Sequence, residues 1–523
     1  MIALKPKSFL PLLFFFFLTG PLVAQTSPDQ IKFVRKGVKR LIFDNNQSIP
    51  LAQLDPGNSI GFQSMHPTNI YSSDHPNISI SNNTLNISSN SRTSSGIWIG
   101  GFNPFATYTI DLESTNGNGE IGFEFSAPDN SKKAIITVSY DESGFKNATL
   151  HIGNQSIDSS NQVVSTISGK NVPTADSKII LQMLGSGFVL YHRDSGLPQV
   201  IGQGSFTPYI DLREKEYTNS FQSRLYTKIL NGNVLINKVS MDLTTGVGLA
   251  DIRAITYEDG SPFLDRNRLW HTMSIRGRAL PHHIQGVFSM DPTVFDIQLE
   301  GIIVFDRNDG LLRNEIASHI FYDRNEEVWR GITTGFSAFA NPEEEKQLLA
   351  VESERDPRFG FSIMKADTFG IIGDIEDPHI IFDEEVSKWR ILTCVNEDGY
   401  KAILLESDFW NRKYKKIAGP VSHNSTGTSI QKIGSQRYCF SGSSEREIFV
   451  YTYPDLRESG ILQMDLPPWA DDSGSRVWPN VVQLPEEYPF RYVALMMDRY
   501  NFPGMQGPNW TYGAIYLYHG YTD

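Results

Sequence analysis

The sequence predicts an all-β protein with an N-terminal β-sandwich of the jelly-roll, lectin-like kind followed by a five-bladed β-propeller. Short alternating apolar runs fill the first half, and a fivefold repeat of β-hairpins fills the second. Long stretches of helical periodicity are missing throughout. Strands spaced about ten residues apart are typical of sandwiches, and β repeats with a period near 50 residues are typical of propellers.

Residues 1–25 have the pattern of a secretory signal peptide. Lys5 and Lys7 precede an almost continuous apolar run over residues 9–23, and the small residue Ala24 offers a cleavage point. The run is shorter than the roughly 20 apolar residues that span a bilayer. We therefore expect a secreted or periplasmic protein with no membrane span in the mature chain.

The composition is that of a globular, acidic protein. The formal net charge of -13 argues against nucleic acid as a partner, because phosphates require a basic surface. The only cysteines are Cys394 and Cys439, too few for a disulfide-dense scaffold or a cysteine-based metal site. We expect two buried thiols. No cofactor is predicted, although clustered carboxylates leave room for a structural cation, and the oligomeric state stays open.

Residues 26–245 form the predicted β-sandwich domain. Apolar or alternating runs at residues 97–99, 108–112, 121–125 and 134–140 are separated by clusters of turn residues. A final alternating strand over residues 231–243 leads to the turn-rich residues 244–248, where we place the domain boundary. The ligand of this domain cannot be inferred from its residues, and it could serve only to support the second domain.

Residues 246–523 carry five units with one plan: a β-rich run, a polar turn and a second strand led by an aromatic residue. The aromatic residues recur at intervals of about 50 to 60 residues and are Trp270, Trp329, Trp389, Tyr438 and Tyr492. A second sandwich would also show alternating strands, but the fivefold recurrence favours a propeller. In this interpretation the five aromatic residues are structural and pack one blade against the next.

The candidate site residues are polar side chains near the start of each blade's first strand. The innermost strands of a propeller surround the channel, so residues where they begin converge at one end of the axis. A purely structural strand would favour Val or Ile at these positions. The candidates from the five blades in order are Asp251 and Arg253; Glu315 and His319; Glu376, Asp377 and His379; His423; and Arg476 with Trp478.

Asp251 and Asp377 are the candidate catalytic pair, because both precede the first apolar run of their blade in a D-x-x-x-I pattern. Glycoside hydrolysis uses two carboxyl groups, one to protonate the leaving oxygen and one to activate water or attack the anomeric carbon. The simpler interpretation is that each aspartate is a turn residue, as the pair Asp377-Pro378 often is. The sequence leaves the separation of the two groups, and hence retention or inversion, open.

The second half resembles the five-bladed propeller glycosidases, a group that includes arabinanases and β-xylosidases, invertases and levansucrases, and anhydrogalactosidases. The resemblance rests on Asp251, on the run EDPHIIFD at residues 376–383 followed by WRILT, and on residues 403–420. It implies that Asp251 is the base or nucleophile and that Asp377 orients the sugar and tunes the acid. The later-blade carboxylate of many such families is not evident. The resemblance to anhydrogalactosidases makes His423 the candidate acid, with Glu376 and Glu315 as alternatives.

The leading functional hypothesis is therefore an exo-acting glycoside hydrolase for plant or algal polysaccharide fragments. The cationic candidates Arg253, His319, His379, His423 and Arg476 suggest that the sugar carries carboxylate or sulfate, and Trp478 is a candidate stacking platform. A lyase with a His or Tyr base is one alternative. A non-catalytic carbohydrate-binding or adhesion protein is the other, because the fold does not determine the function.

Overall fold

The computed structural model describes residues 26–154, 157–167, 173, 176–470, 477–505 and 511–522. The predicted signal peptide lies outside these residues. The described chain is built almost entirely from β-strands, with two short helices, α1 (Phe62–Met65) and α2 (Lys215–Ser220), and four 3₁₀ turns at Pro28–Gln30, Asn45–Gln47, Pro56–Asn58 and Phe336–Ala340. Within the described residues, no helix has the length and apolar character needed to cross a membrane.

Thirteen strands between residues 49 and 243 form the predicted β-sandwich. They are β2 (Ile49–Leu54), β3 (Thr68–Ile70), β4 (Asn77–Ser81), β5 (Thr84–Ser89), β6 (Thr93–Gly101), β7 (Thr107–Ser126), β8 (Lys132–Asp141), β9 (Gly144–Asn154), β10 (Ile157–Thr166), β11 (Ser177–Met183), β12 (Gly187–Arg193), β13 (Gln199–Ser205) and β14 (Gln222–Leu243).

The two long strands β7 and β14 organise the sandwich, because they pair with each other over most of their length. The first half of β7 pairs with β11, and β12 and β13 extend the sheet on that side. The second half of β7 pairs with β8, and β9 and β10 extend the sheet there. The ribbon bends at Gly117 and Gly232, which have φ values of 79° and 103°. A Cβ atom at Gly117 would lie 2.2 Å from the carbonyl oxygen of Asn231, so only glycine fits there.

The second half of the chain is a five-bladed β-propeller, as predicted. From the axis outward, its strands are β15 (Gly248–Ala254), β18 (Arg268–Arg276), β19 (Ile284–Met290) and β20 (Gln298–Asp306) in blade I; β21 (Ile316–Asp323), β22 (Val328–Thr334), β23 (Gln347–Ser353) and β24 (Gly360–Ile372) in blade II; β25 (Ile375–Asp383), β26 (Lys388–Asn396), β27 (Tyr400–Ser407) and β28 (Lys415–Ala418) in blade III; β29 (Thr426–Ile433), β30 (Gln436–Gly442), β31 (Ile448–Thr452) and β32 (Glu458–Ile461) in blade IV; and β33 (Val481–Gln483), β34 (Tyr492–Met497) and β35 (Ile515–Tyr521), completed by β1 (Lys32–Lys39), in blade V. Two short pairings, β16 (Thr256–Tyr257) and β17 (Leu264–Asp265), supplement blade I.

The five repeated aromatic residues occupy equivalent places. Each lies in the second strand of its blade and is buried or half-buried; the set is Trp270, Trp329, Trp389, Tyr438 and Tyr492. Trp270 and Trp329 share one apolar cluster between blades I and II, and Trp389 packs on a cluster between blades II and III. The repeat therefore marks packing positions between blades, as the sequence predicts.

The N-terminal strand β1 differs from the predicted organisation, which places it in the sandwich. It pairs antiparallel with β35 and so supplies the outermost strand of blade V. The two ends of the described chain thus meet in one sheet, which closes the ring of blades. The predicted domain boundary at about residue 245 coincides with the connection between β14 and β15. The division of the chain into two domains at that point stays a prediction.

The sandwich and the propeller share an apolar core. Phe105, Leu184 and Tyr191 from the sandwich belong to the same buried cluster as Leu249 and Met273 from blade I. A separate cluster fills the space between the two sheets of the sandwich. Because burying this much apolar surface is the main favourable term in domain packing, the sandwich is packed firmly against one side of the propeller.

Removal of an apolar contact of β1 tests the closure of the ring. Phe33 packs on the cluster between blades IV and V, whereas Val38 on the same strand is exposed. We expect Phe33→Ala to cost on the order of 2 kcal/mol and to lower the midpoint of thermal unfolding by several degrees, and Val38→Ala to leave it within about 1 °C. Calorimetry of the two variants provides the comparison. Equal midpoints would contradict the assignment of β1 to blade V.

Candidate active site

Four of the five inner strands open with the same β-bulge. In β15, β21, β25 and β29 two residues lie opposite one residue of the neighbouring strand. The first bulged residue has a positive φ in each case: Asp251 (52°), Ala317 (56°), Asp377 (58°) and Gly427 (58°). This left-handed conformation is unfavourable for residues other than glycine, and such strained positions cluster at functional sites.

An axial cavity of about 250 Å³ lies where these inner strands begin. Both predicted catalytic aspartates line it, Asp251 from blade I and Asp377 from blade III, together with Glu376. Other lining residues are Arg276, Tyr400, Thr426, Arg499, Phe336 and Trp478. The structure thus brings polar groups from separate blades into one pocket.

The carboxylate of Asp251 is bound by a buried cation. Arg276, the last residue of β18, donates from Nη2 to Oδ2 of Asp251 over 2.5 Å. The guanidinium of Arg276 also contacts the ring of His283, at 2.8 Å from Nη1 to Nδ1. Burial lowers the pKa of Arg276 from its ordinary value, but a guanidinium remains charged at neutral pH. The ion pair holds the Asp251 carboxylate in a fixed position at the cavity.

The carboxylate of Asp377 is held by neutral donors from blade IV. Its Oδ2 accepts hydrogen bonds from the hydroxyl of Thr426 over 2.7 Å and from the backbone N–H of Gly427 over 2.8 Å. These donors fix the orientation of the carboxylate. The second aspartate of the cavity is therefore also held in a fixed position.

Glu376 lines the same cavity and belongs to a network around one ammonium group. Lys346 Nζ lies 3.2 Å from Oε2 of Glu376 and 2.9 Å from the hydroxyl of Tyr400, and it also contacts Asp374. Burial raises the pKa of Asp374, but hydrogen bonds from Lys346 and Tyr400 outweigh this and leave the value lowered. Burial and the charge of Glu376 raise the pKa of Tyr400 far above its ordinary value.

Arg253 and Trp478, predicted to bind substrate, fill the channel below the cavity. Nη2 of Arg253 donates to the carbonyl oxygen of Asp377 over 2.8 Å, and Nη1 binds the carbonyl oxygens of Gly427 and Thr428. Its guanidinium lies 4.9 Å from the ring centre of Trp478. The indole of Trp478 donates to the carbonyl oxygen of Ile252 over 2.7 Å. Arg253 is thus engaged in structure, whereas Trp478 both anchors blade V and forms part of the cavity wall.

His319 and His379 are buried between blades and do not line the cavity. Their rings stack at a centroid distance of 3.9 Å, and Nδ1 of His319 accepts the backbone N–H of Ile380 over 3.2 Å. Burial, with the charge of Arg253, holds the pKa of His319 at about 3. Both rings are therefore neutral and pack between blades, outside the cavity lining, and substrate binding by them stays a prediction.

Glu315 and His423 also lie apart from the cavity lining. Glu315 is completely buried and accepts two hydrogen bonds from Ser337. Burial raises its pKa. His423 stacks on Phe449 at 3.7 Å, and its Nε2 lies 3.2 Å from Oε2 of Glu458 on the outer strand of blade IV. His423, predicted as the acid, is therefore not one of the residues that line the cavity with the two aspartates. Arg476 lies outside the described residues.

Three lining residues were not among the predicted site residues: Arg276, Tyr400 and Arg499. Arg276 ends the second strand of blade I, and Tyr400 begins the third strand of blade III. Neighbouring strands of a blade are antiparallel, so the end of a second strand lies beside the start of an inner one. A rule that also covered the ends of the second strands would have identified Arg276 as a candidate. Arg499 follows β34 in a connection without regular structure, and no sequence signal marks it.

Glu376, Asp377 and Cys394 form the one group among the described residues with the spacing of metal ligands, each with a potential ligand atom within 4.8 Å of the others. The group does not fit a calcium ion, which takes six to eight oxygen ligands. One of its members is a thiol, and the carboxylate of Asp377 is already engaged by Thr426 and Gly427. Cys394 and Cys439 are both buried and form no disulfide.

A second cavity of about 320 Å³ lies at the opposite ends of the inner strands. It is lined by Ala254, Ile381 and Ile430, which follow the bulges of their strands by several residues. The layer that contains Arg253 lies between the two cavities. None of the predicted site residues that the structure describes lines this second cavity.

Comparison with known proteins finds similarity only to solved structures, because no protein-family model and no curated protein sequence matches the chain. One similar structure is a thermostable family-43 glycoside hydrolase, with 14% identity, a TM-score of 0.36 and coverage of 52% of this chain and 88% of the other. The RS223 β-xylosidase has 11% identity, a TM-score of 0.37 and coverage of 52% and 92%. A putative exo-β-1,3-galactanase from Bifidobacterium bifidum has 12% identity, a TM-score of 0.34 and coverage of 51% and 86%.

The buried histidines predict that acid destabilises the fold. Burial lowers the pKa of His271, His282 and His319 to about 3 and that of His379 well below its ordinary value. An unfolded histidine titrates at about 6.5, so below that pH the unfolded chain binds more protons. We expect the free energy of unfolding to fall between pH 6.5 and 4, by up to about 1.4 kcal/mol per pH unit for each such histidine.

Denaturant unfolding of two variants over this pH range checks the prediction. His379→Phe keeps an aromatic ring against His319 and should lessen the pH dependence by about one histidine's share. His75 is exposed, so His75→Gln should leave the dependence unchanged. A stability that is level from pH 7 to pH 4.5 would contradict the burial of neutral histidines.

Proposed function

We propose that the protein is a secreted glycoside hydrolase that acts on plant or algal polysaccharide fragments from the axial cavity. One observation carries the proposal. Asp251 and Asp377 open the inner strands of two non-adjacent blades in the same strained conformation, and both line one pocket. Paired carboxyl groups around a pocket are the arrangement that hydrolysis of a glycosidic bond requires. A cavity of about 250 Å³ has room for little more than a terminal sugar residue and so suits an exo-acting enzyme.

Asp251 is the proposed base or nucleophile. Its ion pair with Arg276 fixes the carboxylate at the cavity, and either role uses the ionised form of the group. Asp377, fixed by Thr426 and Gly427, is proposed to orient the sugar hydroxyls and to influence the acid electrostatically. Neither role requires a metal ion or a cofactor.

Glu376 is the proposed acid, in place of His423. It is the third carboxyl group of the cavity. Its Oε2 lies 3.2 Å from Nζ of Lys346, which also contacts Asp374, so the side chain is held at the cavity wall. The bulge position of blade IV is Gly427, so that blade offers no acid there.

The proposed substrate can carry a carboxylate or sulfate group. Arg276 and Arg499 line the cavity and supply guanidinium groups, which bind such anions well. The proposal of an anionic substrate therefore rests on Arg276 and Arg499, and no longer on the histidines and Arg253 that the sequence suggested.

A polysaccharide lyase is the second candidate function. Tyr400 and Arg276 in one cavity match the base and the charge-neutralising cation of such an enzyme. However, the strongly raised pKa of Tyr400 makes its phenolate costly to form. Products of a lyase contain a new double bond and absorb ultraviolet light, whereas those of a hydrolase do not. Absorbance of the reaction mixture therefore separates the two candidates.

The aspartates give the first test of the proposal. Incubation with a panel of plant and algal oligosaccharides, read by product mass, should show cleavage by the wild-type protein. Asp251→Asn should lower the rate by at least about a thousandfold and Asp377→Asn by about a hundredfold or more, because each removes a charge that the transition state requires. Circular dichroism should remain unchanged. Normal turnover by both variants would exclude the proposed mechanism.

A comparison of substrates with poor and good leaving groups tests the role of Glu376. A general acid matters most when the leaving group is a poor one, so Glu376→Gln should slow cleavage of natural oligosaccharides by about a hundredfold or more. It should affect 4-nitrophenyl glycosides, whose leaving group needs no protonation, by much less. Asp251→Asn is the matched control and should slow both substrate types alike. A uniform loss in Glu376→Gln would show that Glu376 is not the acid.

A further inference from the structure

A short aromatic turn stands at the mouth of the axial cavity. The 3₁₀ turn Phe336–Ala340 follows the second strand of blade II. Phe336 lines the cavity, whereas 55% of the surface of Phe339 is exposed. The two rings stack at a centroid distance of 6.1 Å and an angle of 23°. The two stacked rings therefore extend from the cavity wall, at Phe336, to the solvent-exposed surface, at Phe339.

A buried carboxylate holds this turn in place. Glu315, 0% exposed, accepts the backbone N–H of Ser337 over 2.8 Å and the hydroxyl of Ser337 over 2.6 Å. Arg313 donates to the same hydroxyl over 3.1 Å and binds Glu344. Burying a carboxyl group is costly unless it is hydrogen-bonded, so the turn is firmly attached rather than loosely placed. The exposed ring of Phe339 is thus presented on a fixed support.

The turn is linked to the proposed acid through Lys346. The Nζ atom of Lys346 lies 5.3 Å and 5.8 Å from the ring centres of Phe336 and Phe339, and it is the same atom that contacts Glu376 and Tyr400. A sugar ring stacked on Phe339 would therefore lie beside Glu376, the proposed acid that protonates the leaving oxygen, on the side nearer the solvent. This is the direction in which the departing part of a substrate would extend.

We propose that Phe339 and Phe336 form a stacking subsite for the sugar next to the scissile bond, on its leaving-group side. The inference rests on the proposed function. An exposed aromatic face beside a pocket offers apolar contact to the C–H face of a sugar ring, while the ring hydroxyls remain in water. Exposed Glu343 and Glu345 follow the turn in the sequence and disfavour an anion. The proposed occupant is therefore a neutral sugar ring, even where the sugar in the cavity is anionic.

Substrates of increasing length test the subsite. Phe339→Ala should raise KM for oligosaccharides about tenfold, because one stacking contact is lost. It should leave the kinetics on the fluoride of the corresponding monosaccharide within about twofold, since a fluoride leaving group is too small to reach the subsite. Phe339→Trp should restore the wild-type KM. Phe359, about half exposed and outside the cavity lining, provides the matched control Phe359→Ala, which should change neither substrate.

Binding measurements separate failure of the subsite from failure of the proposed function. Calorimetric titration of Asp251→Asn with a neutral oligosaccharide such as xylotriose or galactotriose, repeated with Phe339→Ala added, requires no turnover. Binding weakened about tenfold by Phe339→Ala supports the subsite even if no hydrolysis is found. Equal effects of Phe339→Ala on long and short substrates, equal affinities with and without the ring, or no binding to either protein would overturn it.

Discussion

The hydrogen bonds of the Arg253 guanidinium hold the centre of the propeller together. The guanidinium binds carbonyl oxygens of blade III and blade IV from a position on blade I, and it lies against Trp478 at the entry to blade V. Burial lowers its pKa only to about 10, so it remains a cation in the middle of the molecule. A buried charge persists only when it is well paired and hydrogen-bonded. Arg253 therefore fixes the relative positions of the strands that carry the candidate site.

This arrangement explains why the two aspartates converge. The carbonyl oxygen that Arg253 binds in blade III is that of Asp377, and the carbonyl oxygens in blade IV belong to Gly427 and Thr428, which follow the Thr426 donor to the Asp377 carboxylate. The β-bulges of β15 and β25 then place the two aspartates in the wall of the axial cavity. The sandwich supports the other side of the cavity: Gln182 donates to the carbonyl oxygen of Arg276, the partner of Asp251, over 3.4 Å. Both domains thus contribute to the geometry of one pocket.

The repeated features were accessible from the sequence, because they depend on local pattern. Trp270, Trp329 and Trp389 mark equivalent second strands, and Asp251 and Asp377 mark equivalent strand starts. Arg253 and His379 were predicted to bind substrate because they lie near the start of an inner strand, where residues two apart share one face if the strand is regular. The bulge between each of them and its aspartate breaks that alternation and turns the later residue toward the packing between blades.

Contacts between distant segments were not accessible in this way. The pairing of β1 with β35 joins residues separated by almost the entire chain, and a short strand carries no signal that names its partner. The same holds for Glu315, whose place at the start of a strand suggested substrate binding. Its role depends on Ser337, which lies in a turn on the far side of a hairpin. Arg276 and Tyr400 reach the cavity from second and third strands, for which the rule of inner-strand starts makes no prediction.

The most direct test of the account is a crystal structure of Asp251→Asn in complex with an oligosaccharide that the wild-type protein cleaves or binds. The account predicts a sugar ring in the axial cavity, within hydrogen-bonding distance of Asp377 and of the amide at position 251. A saccharide found only in the cavity at the opposite ends of the inner strands, or only on the sandwich, with the axial cavity empty, would contradict it.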